Sequence, residues 1–176
     1  YNYDAACTRV SQDQLAGPPG RIVWIDGPNW TCTPSGPITQ VSAGGRLFSI
    51  INEAYRFGSK VQSPRTHLYV HDAFNGVRLW KQPTASGKLT TVAAKDRIYC
   101  VPAGDGPLCA LDALTGRELK RYEVLTALQW VVFGDGRLVG SAQKNLLCVD
   151  ADSGSTLWTK PFVVEEANIT PNAALD

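Results

Sequence analysis

The stretch Leu146-Leu-Cys-Val-Asp150-Ala-Asp-Ser-Gly154-Ser-Thr-Leu-Trp158 decides how this chain folds. It starts with four apolar residues ended by Asp, too short for a helix and the right length for a strand. An Asp leaving a strand accepts hydrogen bonds from backbone N–H groups just ahead of it, and Ser does the same more weakly. Gly then supplies the positive φ that closes a tight turn. The segment therefore predicts a β-hairpin. The same pattern occurs twice upstream without gaps, as Leu68-Tyr-Val-His-Asp72-Ala-Phe-Asn-Gly76-Val-Arg-Leu-Trp80 and Leu108-Cys-Ala-Leu-Asp112-Ala-Leu-Thr-Gly116-Arg-Glu-Leu-Lys120. Its aspartates are spaced 40 and then 38 residues apart, and the closing tryptophan is replaced by Lys120 in the middle copy.

A second set of strands precedes these units: Gly45-Arg-Leu-Phe-Ser49, Asp96-Arg-Ile-Tyr-Cys100 and Gly136-Arg-Leu-Val-Gly140. Their arginines are offset by 51 and 40 residues, so the first unit carries about 11 extra residues, which fall in the polar stretch 52–66. That stretch reads as an insertion loop. Four short strands every roughly 40 residues is the period of a β-propeller blade. The expectation is an all-β chain with three four-stranded blades at 38–82, 88–123 and 125–160. Residues 1–37 read as a connector with outer-strand material of a preceding blade (Arg21-Ile-Val-Trp-Ile25), and 161–176 as the start of a further one. Asp72, Gly76, Asp112, Gly116, Asp150 and Gly154 are then turn residues. Trp80 and Trp158 suit the space between packed sheets. Three blades leave unprotected edges, so the ring is completed by more chain or by other subunits. A chain that opens on Tyr1 and contains no methionine reads as a piece of a longer product.

Seventeen basic against 16 acidic residues leave a net charge of +1, which provides no field for nucleic acid or an anionic surface. No apolar run approaches the roughly 20 residues of a membrane span, and residues 1–20 lack a secretory leader pattern. Five cysteines without a CxxC spacing disfavour a zinc cluster. Cys100 and Cys109 flank the Pro/Gly-rich run 102–107, so they can face each other across a hairpin; buried small apolar side chains are the expectation. His67 and His71 sit four residues apart along a strand, about 13 Å, too far for one ion. Gly104-Asp-Gly106 and Gly134-Asp-Gly136 open no helix and carry no P-loop Lys, so they read as turns.

At the Asp-Ala-x-x-Gly-x-x-Leu-Trp residues the chain resembles the pyrroloquinoline-quinone-like propeller repeat. That repeat occurs in quinoprotein alcohol dehydrogenases and in cofactor-free relatives such as the outer-membrane assembly lipoprotein. The resemblance implies a periplasmic or extracellular setting. It also implies, for the enzymes, a quinone on the propeller axis between a tryptophan floor and a vicinal disulfide, with calcium held by Glu, Asn and Asp. This sequence has no adjacent cysteines, and Glu165, Glu166 and Asp176 have no distinctive spacing, so no catalytic or metal residue is carried over. The expectation is a non-catalytic scaffold, without cofactor, whose loops recognise a protein or ligand. The alternative is a set of structural blades in a dehydrogenase that binds pyrroloquinoline quinone and calcium on blades outside this chain. Expected partners are a protein or the remaining blades, with no nucleic acid and no membrane span.

Overall fold

The computed structural model describes residues 39–52, 56–57, 60–61, 66–87 and 89–162. The predicted strand at 21–25, the connector at 1–16, and Glu165, Glu166 and Asp176 lie outside them.

The first sheet contains β1 (Thr39–Ala43), β2 (Arg46–Asn52), β5 (Thr66–Asp72) and β6 (Arg78–Pro83). Between β2 and β5 the insertion carries a two-stranded ladder of β3 (Arg56–Phe57) and β4 (Lys60–Val61). The second sheet is β7 (Val92–Ala94), β8 (Arg97–Cys100), β9 (Pro107–Asp112) and β10 (Glu118–Thr126). The third is β11 (Leu128–Gly134), β12 (Arg137–Ala142), β13 (Asn145–Asp150) and β14 (Thr156–Pro161). Each is a four-stranded antiparallel meander, and together they are three successive blades of a β-propeller. β10 runs to Thr126, three residues past the boundary expected at 123, and Leu125 belongs to this strand and the second sheet. Continued pairing of β10 with β9, through an irregular register that matches Thr126 to Pro107, accounts for the extension.

Alternation along the strands explains why sequences so apolar do not form helices. Ile98, Cys100, Cys109 and Leu111 face the first sheet, in a core with Phe48, Ile50, Leu68 and Val70. Tyr99, Val101, Leu108 and Ala110 face the third, in a core with Tyr122, Leu125, Val131, Leu138 and Val149. The middle blade thus buries both faces, and period-2 side chains serve two cores at once. Strands β1, β7 and β11 neighbour one another across the blades and form the inner ring. The outer strands are β6, β10 and β14. All six residues of β14 are exposed, with Leu157 at 50% and Trp158 at 39%.

Candidate functional site

The three Asp-Ala-x-x-Gly turns lie at one end of the blades, and each is built the same way. Asp72 Oδ1 accepts the N–H of Phe74 at 2.9 Å and of Asn75 at 3.1 Å. Asp112 Oδ1 accepts from Leu114 N, Thr115 N and Thr115 Oγ1, at 3.1, 2.7 and 2.7 Å. Asp150 Oδ1 accepts from Ser153 N and Oγ, both at 2.7 Å. The side-chain bond from Thr115 holds the Asp112 carboxyl below the usual carboxylate range, and the Ser153 N–H does the same for Asp150. Gly76, Gly116 and Gly154 each donate N–H to the Asp carbonyl, at positive φ. The alanine after each Asp donates its N–H to the inner hairpin of the same blade: Ala73 to Gly45 O, Ala113 to Asp96 O and Ala151 to Gly136 O.

Blades join through these same turns. Trp80 Nε1 donates to Ala113 O at 3.1 Å, and its ring lies against Gly116. In the next junction the tryptophan's two roles are divided. Tyr122 Oη donates to Ala151 O at 2.6 Å, and the aliphatic stem of Lys120 lies against Gly154 while its Nζ reaches Asp152 O and Ser153 O at 2.9 and 2.6 Å. Arg97 adds a 2.8 Å ion pair to Asp152. Burial pushes the Tyr122 hydroxyl above its ordinary range, which favours the protonated form that donates this bond. Tyr122 lies outside the repeat pattern; its signal in the sequence is the position two residues after Lys120, on the same face of the strand. Trp158 occupies the equivalent site on β14, where no following sheet lies among the described residues, and Lys160 Nζ sits 5.8 Å from its ring centre.

The opposite end carries the insertion and the blade-to-blade crossovers. There a cleft of about 340 Å³ opens between the second and third sheets, walled by Gly87, Gly104, Asp105, Gly106, Leu128 and Gln129. Hydroxyl groups stitch the crossover below it. Thr84 Oγ1 donates to Val101 O, Ser86 Oγ accepts from Val101 N at 2.6 Å and donates to Thr90 O, and Thr91 Oγ1 donates to Gly87 O. Main-chain bonds from Val131 N to Leu89 O and from Ala127 N to Asp105 O tie the two blades at its rim. Gly104 and Asp105 belong to the β8–β9 loop, and Asp135 and Gly136 form the two-residue β11–β12 turn.

His67 and His71 both lie on β5, where the Tyr69 and His71 rings stack 6.3 Å apart. Among the described residues no three of His, Cys, Asp or Glu converge on a point where an ion would sit. Cys100 and Cys109 are direct cross-strand partners, both buried, with their thiols pushed up by burial to about 12 and about 11.

A family model described as outer membrane protein assembly factor BamB, built on the quinoprotein-like repeat, matches residues 13–132. The chain belongs to that family. No curated protein matches it. Solved structures similar to it include a quinohemoprotein alcohol dehydrogenase from Comamonas testosteroni, at 17% identity and TM-score 0.47 over 70% of this chain and 20% of that one. BamB from Moraxella catarrhalis is similar at 19% identity and TM-score 0.44, over 67% of this chain and 44% of that one. The chain thus spans a fifth of the first and less than half of the second.

Proposed function

We propose that this chain is a section of a larger β-propeller that works as a recognition scaffold for a polypeptide, in the periplasm or outside the cell. Membership of a family described as an assembly factor supports the setting and the kind of partner. The observation that carries the reading is the use to which the repeat carboxylates are put. Asp72, Asp112 and Asp150 are each engaged by their own turn at the outer hairpins, away from the inner ring. The cofactor-free reading is supported by the cleft, whose described lining holds one carboxylate, Asp105, and by Cys100 and Cys109, which pair across strands instead of standing adjacent. No chemical step is therefore assigned. What the cleft offers, among the described residues, is a glycine-rich backbone wall open to close approach, the exposed apolar Leu89, and one carboxylate, Asp105. That combination suits an extended peptide with a basic side chain.

A photo-crosslinking residue at position 89 of the parent protein tests this. The expected result is one recurrent polypeptide product, identified by mass spectrometry, that is lost with Asp105→Arg and does not form from position 114 at the other end. The companion measurement titrates the parent protein with pyrroloquinoline quinone, with and without calcium, followed by absorbance and dye-linked alcohol oxidation. Calcium-dependent binding with turnover would overturn the scaffold reading in favour of the dehydrogenase.

A further inference from the structure

Cys100 and Cys109 bracket the loop that supplies Gly104, Asp105 and Gly106 to the cleft, and their arrangement goes beyond two buried thiols. They are paired residue to residue in the β8–β9 ladder, and both side chains enter the same core against the first sheet. Asp112 donates its N–H to Arg117 O on the β10 side, so by alternation Leu111 and Cys109 turn their main-chain groups to β8. Cys100 and Cys109 are thus a hydrogen-bonded pair, for which Cα atoms stand about 5.5 Å apart. That separation lies inside the Cα window of a disulfide; both thiols are free in this structure, and closing the bond draws the two Cβ atoms together by about 1 Å from the wider spacing of a hydrogen-bonded pair. The Cys109 thiol makes a weak 3.7 Å contact to Pro107 O and also interacts with the Glu118 and Arg121 side chains of β10. Cys148 faces Val139 and Trp158 across its own ladder, so it offers neither of them a partner in register.

We propose that Cys100 and Cys109 form a cross-strand disulfide when the chain folds under oxidising conditions, stapling the 101–108 loop at the cleft. The co-reactant is a disulfide, small or borne by a protein oxidase. One thiolate attacks it to give a mixed disulfide and release a thiol; the second cysteine displaces the other half. Two thiols of this chain are oxidised, one external disulfide is reduced to two thiols, and both protons leave with them. In the finished fold the two side chains are 1% and 0% exposed, so the exchange belongs to folding, before the second blade closes on the first. Once closed, the bond is shielded from reductant by the same burial.

The test is refolding of the reduced, denatured chain in oxidised and reduced glutathione, followed by denaturation, alkylation and tryptic digestion. The sequence between Arg97 and Arg117 contains no Lys or Arg, so both cysteines fall in one peptide, 98–117. The expected product is that peptide about two mass units light and free of alkyl groups. A closed loop of ten residues lowers the unfolding constant of the oxidised form about 100-fold relative to the reduced one. Comparing oxidised with reduced wild type reads this without a variant, and Cys100→Ser and Cys109→Ser each abolish the difference. A peptide alkylated at both positions in a chain with native circular dichroism, or a bond from either cysteine to a different one, would overturn the proposal. Neither result depends on what the cleft binds.

Discussion

Replacing Gly116 by alanine should separate the docking role of the interblade turns from their backbone role. Gly116 has φ of +72°, and a Cβ there would meet Trp80 Cδ2 and Cε3 at 2.9 Å. Gly136 has φ of +71° with nothing within 4 Å of the added atom. Both substitutions therefore bear the left-handed strain of a non-glycine residue, roughly 1–2 kcal/mol. Only Gly116→Ala also displaces an indole. A half-buried tryptophan removes about 100 Å² from water, worth about 2.5 kcal/mol. Its bond to the Ala113 carbonyl adds about 1 kcal/mol. With the indole displaced, the expected loss is about 4.5–5.5 kcal/mol for Gly116→Ala against about 1–2 for Gly136→Ala. Urea unfolding followed by circular dichroism resolves this, because with m of about 2 kcal/mol/M a gap of about 3.5 kcal/mol separates the midpoints by about 1.7 M. In a Trp80→Ala background the clash is gone, and Gly116→Ala should cost no more than Gly136→Ala. Coincident midpoints for the two alanines in the wild-type background would refute the docking argument.

Tyr122→Phe deletes the 2.6 Å bond to Ala151 O in a buried junction and should cost about 1–2 kcal/mol in the same urea assay. Lys120→Met keeps the stem over Gly154 but loses the bonds to Asp152 O and Ser153 O; the expected loss is about 1 kcal/mol, and an unchanged midpoint would show those contacts to be idle. Trp80→Ala should destabilise far more than Trp158→Ala in this chain, since Trp158 is 39% exposed and has no sheet beyond it among the described residues; equal losses would place a docking partner on β14. The Asp112 and Asp150 carboxyls titrate lower folded than unfolded, so the stability they contribute is present above the ordinary carboxylate pKa of about 4 and is lost as pH falls through their folded values. The double variant Asp112→Asn/Asp150→Asn should flatten the acid limb of urea midpoint against pH. An acid limb as steep as wild type would assign the titration to other groups.

Hairpin chemistry is local, which is why the sequence alone determines so much here. Asp, a small polar residue and Gly at fixed offsets close a turn whatever surrounds them, so Asp72 to Gly76, Asp112 to Gly116 and Asp150 to Gly154 announce three outer hairpins. Their period announces the blade. The strands between them carry apolar residues on both faces, which signals burial between two sheets without saying which residue meets which sheet. Only the tertiary structure assigns Ile98 and Cys100 to one core and Tyr99 to the other. It alone pairs Cys100 with Cys109, and it alone makes Tyr122 and Lys120 share the work that Trp80 does by itself. The middle repeat lacks its tryptophan, and a pattern built on residue identity loses the junction at Lys120. The junction persists because an adjoining blade requires a donor to the alanine carbonyl and a stem over the glycine, and two side chains two residues apart on one strand face can meet those demands together. The cleft is likewise nonlocal, since its walls come from segments some 40 residues apart that only packing of the second blade on the third brings into contact.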